Sequence, residues 1–130
     1  MYRVPVNDTR KEEPMSDAPI LGPVNMVTDL EAATDFEKKH TPHIDIDRAG
    51  DTYHVTVTVG HEVPHPNQPD HFIDWIELYI GDAPIARFDL SPVVTSPVVS
   101  VAVDAEAGAV LRAVEHCNLH GLWAAETTLS

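Results

Sequence analysis

The run YHVTVTV, Tyr53 to Val59, constrains the fold of this chain most. Tyr53, Val55, Val57 and Val59 fall on one face and His54, Thr56 and Thr58 on the other. That period of two suits a strand with one buried face and leaves a helix no apolar stripe. Comparable runs follow: HIDID before it, then FIDWIELYI, IARFDL, VVSVAV, AVLRAVEHC and GLWAAET, separated by Gly50, Gly60, Gly81, Pro92, Pro97 and Gly108. In FIDWIELYI, Phe72, Ile76, Leu78 and Ile80 share one side and Trp75 and Tyr79 the other, so both faces are expected to be covered. About seven short strands with frequent turn signals predict an all-β fold, an immunoglobulin-like antiparallel β-sandwich.

Upstream of the strands, Pro5, Pro14, Pro19 and Pro23 interrupt a stretch without clear period, read as an irregular N-terminal arm over residues 1–27. The β domain is expected over residues 28–130. At its start, TDLEAATDFEKKH matches the capping-box pattern twice, Thr28 to Glu31 and Thr34 to Glu37, which predicts short helical turns. No apolar run is long enough to span a membrane, and the first twenty or so residues hold no apolar core of a secretory leader. A cytoplasmic protein with no membrane partner is expected. With 21 Asp plus Glu against 8 Lys plus Arg, the formal charge is −13, which argues against a nucleic-acid partner. One cysteine excludes an intramolecular disulfide and a four-cysteine metal site within the chain.

Seven of the eight histidines concentrate in three stretches. EKKHTPH holds His40 and His43, GHEVPHPNQPDHF holds His61, His65 and His71, and HCNLHG holds His116 and His120 around Cys117. Imidazole and thiolate together suit a transition metal. Zn²⁺ accepts both and usually takes four ligands. Each residue also has an ordinary role. A lone cysteine is most often a small buried apolar side chain. His54 faces away from the valine side as a solvated strand residue, and His43, His61 and His116 read equally well as surface residues. C-x-x-H and H-x5-H are weak signals singly, so residue types and spacing leave a metal centre and an incidental set both open.

Read together and in order, KHTP, VPHPNQPDHFIDWIEL and CNLHGLW resemble the three signatures of the superoxide reductase family, which includes neelaredoxin and the iron-binding domain of desulfoferrodoxin. The resemblance runs from about Phe36 to about Glu126. It implies the sandwich fold already predicted and one-electron reduction of superoxide to hydrogen peroxide at a mononuclear iron cycling between Fe²⁺ and Fe³⁺. Carried over by motif, the equatorial imidazoles are His40, His65, His71 and His120, and Cys117 is the axial thiolate. Lys39 matches the lysine before the first ligand and is expected to draw superoxide to the site. His43, His54, His61 and His116 match no ligand position. Backbone N–H groups near Asn118 and Leu119 are expected to donate to the sulfur, and Gly121 to permit the tight turn after it.

The resemblance further implies an external donor such as rubredoxin and a homo-oligomer, commonly a homotetramer. Since one cysteine cannot build the second iron module of desulfoferrodoxin, the one-iron type is expected. One departure stands out: the family's Glu-Lys-His becomes Glu37-Lys38-Lys39-His40, so Lys38 occupies the position of the glutamate that can bind the oxidised iron. The ferric site is therefore expected to be open or to hold solvent rather than Glu37. The competing functions are a non-catalytic metal-binding or electron-transfer module with the same ligands, and a binding or scaffold sandwich without redox activity.

Overall fold

The computed structural model describes residues 23–130. Eight strands form two sheets: β1 (Val24–Met26), β2 (His43–Ala49), β3 (Thr52–Thr58), β4 (Ile73–Ile80), β5 (Ala83–Asp89), β6 (Val98–Asp104), β7 (Val110–Cys117) and β8 (Gly121–Thr128). One sheet runs β1-β8-β7-β4-β5 and the other β2-β3-β6. Pairing is antiparallel throughout except between β1 and β8, which run parallel. This is the all-β, immunoglobulin-like sandwich expected, with one strand more than the seven runs predicted. The extra strand is Val24–Met26, inside the stretch read as an irregular arm. It lies along β8, and the Asn25 side chain donates to Leu122 O at 3.0 Å. Residues 1–22 of the arm lie outside the described residues.

The alternation of β3 does what its pattern predicts. Tyr53, Val55, Val57 and Val59 are buried between the sheets with Ile76, Leu78, Leu111 and Ala113, while His54 is exposed. Trp75 and Tyr79 fall on the opposite face of β4, against Val114, Leu122 and Ala124. One position differs: Ile73, not Phe72, joins the inter-sheet core. The β4–β7 register shifts between Ile73 and Trp75, and such a bulge exchanges the two faces of a strand upstream of it.

Of the two capping boxes, Thr34–Glu37 forms. Glu37 N donates to Thr34 Oγ1 at 3.1 Å and Thr34 N to Glu37 Oε1 at 3.0 Å, opening helix α1 (Asp35–His40). Thr28 does not cap. Asp29 accepts from Glu31 N instead and starts a single 3-10 turn, Leu30–Ala32. The carboxylate sits one residue closer to the turn than the hydroxyl and takes the free amide.

Every predicted ligand lies at the end of an element or in a loop. His40 ends α1, His65 lies between β3 and β4, His71 precedes β4, Cys117 ends β7, and His120 precedes β8.

Candidate metal centre

Four imidazoles form a closed cycle. Ring centroids are 4.8 Å apart for His40–His65, 4.8 Å for His65–His71, 5.1 Å for His71–His120 and 5.0 Å for His120–His40. Successive rings meet at 71–85°. Cys117 closes the set: its Sγ lies 3.4 Å from His65 Nε2 and 3.8 Å from His120 Nδ1. Ligand atoms of His40, His65, His71 and Cys117 all lie within 4.8 Å of one another. His120 stands outside that tighter group but completes the cycle of rings. The cluster has a buried side and an open side. Cys117 and His40 have no exposed surface, His71 is half-buried and His120 is exposed.

Each ring is aimed by its surroundings. His40 Nδ1 donates to Phe36 O, one helical turn back, at 2.7 Å. With the proton fixed on Nδ1, the lone pair belongs to Nε2. That Nε2 is buried without a partner. Trp123 stacks on His40 at 4.9 Å and 22°, and its Nε1 donates to His120 O at 3.1 Å. His65 Nδ1 donates to Pro66 O at 2.6 Å, which turns Nε2 toward the sulfur. Gly60 passes directly under this residue at φ +86°, and a Cβ there would come within 2.5 Å of His65 N. His71 Nε2 is likewise buried and unpartnered. Gly121, at φ 81°, allows the turn that returns His120 to Cys117.

Two buried imidazole nitrogens without partners would be costly in a finished core. A cation accepting their lone pairs removes that cost, so the donor set fits a soft-to-borderline transition metal. The protonation states agree. Burial, above all, lowers the pKa of His40, His65 and His71, with further lowering by neighbouring rings and by the Lys39 charge; His65 falls to about 4. These rings are therefore neutral near pH 7, as metal ligation requires. Burial pushes the Cys117 thiol up, opposed by backbone N–H groups of Leu119 and His120. The sulfur's donors thus differ by one residue from expectation, because Asn118 N donates to Phe72 O at 3.1 Å instead.

Around the ligands, the charged residues sort themselves. Lys39 is half-buried, and its charge bears on three of the rings. Lys38 pairs with Glu62 at 3.8 Å, which reduces what it adds to the same field. Glu37 Oε1 is held by Thr34, its N–H at 3.0 Å and its hydroxyl at 3.3 Å. His43 and His61 are not in the cluster; they stack on each other at 3.7 Å.

His116 is not the surface residue its polarity suggests. It is buried, bonds Asp74 Oδ1 through Nδ1 at 2.7 Å and stacks on Trp75 at 10°. A covered second face of the sheet was legible in Trp75 and Tyr79; that His116 would join it was not. Glu115, two residues before Cys117 on the same face, is fully buried, and neither carboxylate oxygen has a partner. Burial first, and Asp74 second, raise its pKa well above the usual range. Nothing in residue type or spacing marks it.

Comparison with known proteins agrees with this geometry. The desulfoferrodoxin family profile matches residues 32–126. The superoxide reductase of Pyrococcus horikoshii is 41% identical over 101 residues, covering 71% of this chain and 88% of the relative. Among solved structures, superoxide reductase from Nanoarchaeum equitans superposes with a TM-score of 0.66 at 38% identity, covering 71% of this chain and 94% of the other. Reduced neelaredoxin from Archaeoglobus fulgidus gives a TM-score of 0.67 at 35% identity, covering 82% and 98%. The profile spans the segment that carries the histidine cycle and the cysteine, and the chain belongs to the desulfoferrodoxin family.

Proposed function

We propose that this chain is a one-iron superoxide reductase, reducing superoxide to hydrogen peroxide with an electron from an external donor. The observation that carries the reading is the closed cycle of four imidazoles with a buried thiol against it. His40, His65, His71, His120 and Cys117 would hold a mononuclear iron. Iron held there supplies the one-electron chemistry, alternating between its ferrous and ferric forms. The net reaction consumes one electron and two protons per superoxide and leaves the O–O bond intact.

The protein's own groups do the rest. Cys117 contributes the only anionic ligand, buried where its charge is strongly felt. The neutral imidazoles add no charge, so the site stays net positive within an acidic protein. Lys39 adds a second positive charge beside His40 and attracts the superoxide anion. The exposed flank at His120 admits substrate, protons and donor. Glu37 is engaged by the helix cap, so its carboxylate would not be free to serve as a further ligand to a bound iron.

The reading extends to a rubredoxin-like donor and a homotetramer, which family resemblance supports, and to a cytoplasmic setting, with the iron-binding domain within residues 28–130. Among the described residues no helix is long and apolar enough to cross a membrane.

The test is to reconstitute the protein with ferrous iron under anaerobic conditions. The oxidised form should be blue, from a thiolate-to-iron transition, and the reduced form should consume superoxide with formation of hydrogen peroxide and no dioxygen. A colourless protein that retains only zinc after this treatment overturns the reading.

A further inference from the structure

Both peptide groups that flank His71 are completely hydrogen-bonded, and one side chain makes half of those bonds. Gln68 takes the inner pair: His71 N donates to Gln68 O at 3.1 Å, and Gln68 N donates to His71 O at 2.9 Å. Asn118 takes the outer pair. Its Nδ2 donates to Asp70 O at 3.0 Å, and its Oδ1 accepts from Phe72 N at 2.8 Å. Asn118 N also donates to Phe72 O at 3.1 Å. The backbone around His71 thus has no unpaired polar group, while His71 Nε2 is left buried and without a partner.

Asn118 directly follows Cys117. The β4–β7 ladder ends at the pair Ile73 and Cys117, beside the bulge. Past that point one backbone bond remains, Asn118 N to Phe72 O, and the side chain of Asn118 supplies the bonds to Phe72 N and Asp70 O. We infer that Asn118 is a positioning residue, setting His71 at a fixed place relative to Cys117 so that both meet one metal.

The chemistry requires this side chain. An amide of this length presents a donor and an acceptor in one plane, matched to the C=O and N–H on either side of a single residue. Aspartate keeps the acceptor and loses the donor. Alanine loses both. Outer partners that orient a ligand typically affect metal affinity by tenfold to a hundredfold.

The inference rests on the reading that His71 and Cys117 share a metal, and cobalt(II) binding tests the two separately. Metal-free parent, His71→Ala, Asn118→Ala, Asn118→Asp and a remote control, Thr52→Ala, would be titrated with Co²⁺ against a competing chelator. Thr52 makes a surface hydrogen bond to Asp104 at 2.7 Å and serves as the control for lost bonding alone. The sulfur-to-cobalt band reports Cys117, and the ligand-field bands report the imidazoles.

Asn118→Ala should bind about tenfold to a hundredfold more weakly than the parent. Its ligand-field bands should shift toward those of His71→Ala, with the sulfur band retained. Asn118→Asp should fall between parent and alanine, and Thr52→Ala should match the parent. Parent affinity and parent ligand-field bands in Asn118→Ala overturn the inference, as does a loss in which the sulfur band disappears in step. If the alanine variant does not fold, Asn118→Asp decides, and parent affinity there overturns the inference. If His71→Ala binds cobalt like the parent, the ligand assignment itself fails. If His71→Ala is weakened and Asn118→Ala is not, only the positioning role fails.

Discussion

Lys39 and Cys117 bring opposite charges to the histidine cycle, and each can be removed singly. Lys39 is a local cation in a protein of formal charge −13. Its attraction for an anion acts over a short range and is screened by salt. Lys39→Gln should slow superoxide capture several-fold at low ionic strength and flatten the dependence of that rate on salt. Pulse-generated superoxide followed over a salt series checks both, and an unchanged slope would assign the field to another group. Cys117→Ser should remove the charge-transfer colour and most of the activity while the fold survives. A serine hydroxyl is not ionised near neutral pH and is a harder donor. Absorption of the oxidised protein, with circular dichroism as the fold control, decides this; parent colour in the variant would mean that Cys117 is not a ligand.

At the scale of elements, helix α1 is only six residues long, too short to be stable on its own. It is held by its capping box and by Phe36 and His40 lying against Trp123. Thr34→Ala removes the cap and should cost about 1 kcal/mol. For a domain of this size that is roughly 4 °C in Tm. Because the variant also releases Glu37, it should loosen His40 and weaken metal binding, whereas a surface helix without a ligand would show only the stability loss. Thermal unfolding and chelator competition on the same samples separate the two effects. The cap was readable in advance as T-x-x-E. The β4 bulge was not, and it moved Ile73 into the place assigned to Phe72.

Over the whole molecule, burial at one end of the sandwich makes the metal-free protein acid-sensitive. His40, His65 and His71 have pKa values lowered by the fold, while in the unfolded chain they titrate near 6.5, with an approximate spread of a unit. The folded state therefore binds fewer protons than the unfolded state between these values. The stability these rings contribute is fully present above about pH 6.5 and is lost as pH falls toward about 4, the value for His65. The Tm of the metal-free protein should drop across that window, and a His65→Gln variant should drop less. A parent Tm that stays level from pH 7 to 4 would show that the rings are not held neutral by the fold.

The division between what the chain determined by itself and what folding decided follows the range of the interactions. Alternation in β3 and β4 is a local property, so the sandwich, its valine face and the second covered face were legible residue by residue. The members of the histidine cycle and Cys117 were legible as a set because KHTP, VPHPNQPDHF and CNLHG stand in a recognisable order, although the rings meet only in the folded chain. The remainder depended on contacts between distant segments. His116 became an interior residue because Asp74 and Trp75 lie beside it across the β4–β7 pair. Glu115 is fully buried on the face of β7 that also carries Ala113 and Cys117, whatever its polarity. Asn118 found its partners 46 and 48 residues away. No local period encodes such bonds: they exist only once the register of β4 against β7 has been set, and that register is a property of the packed sheets.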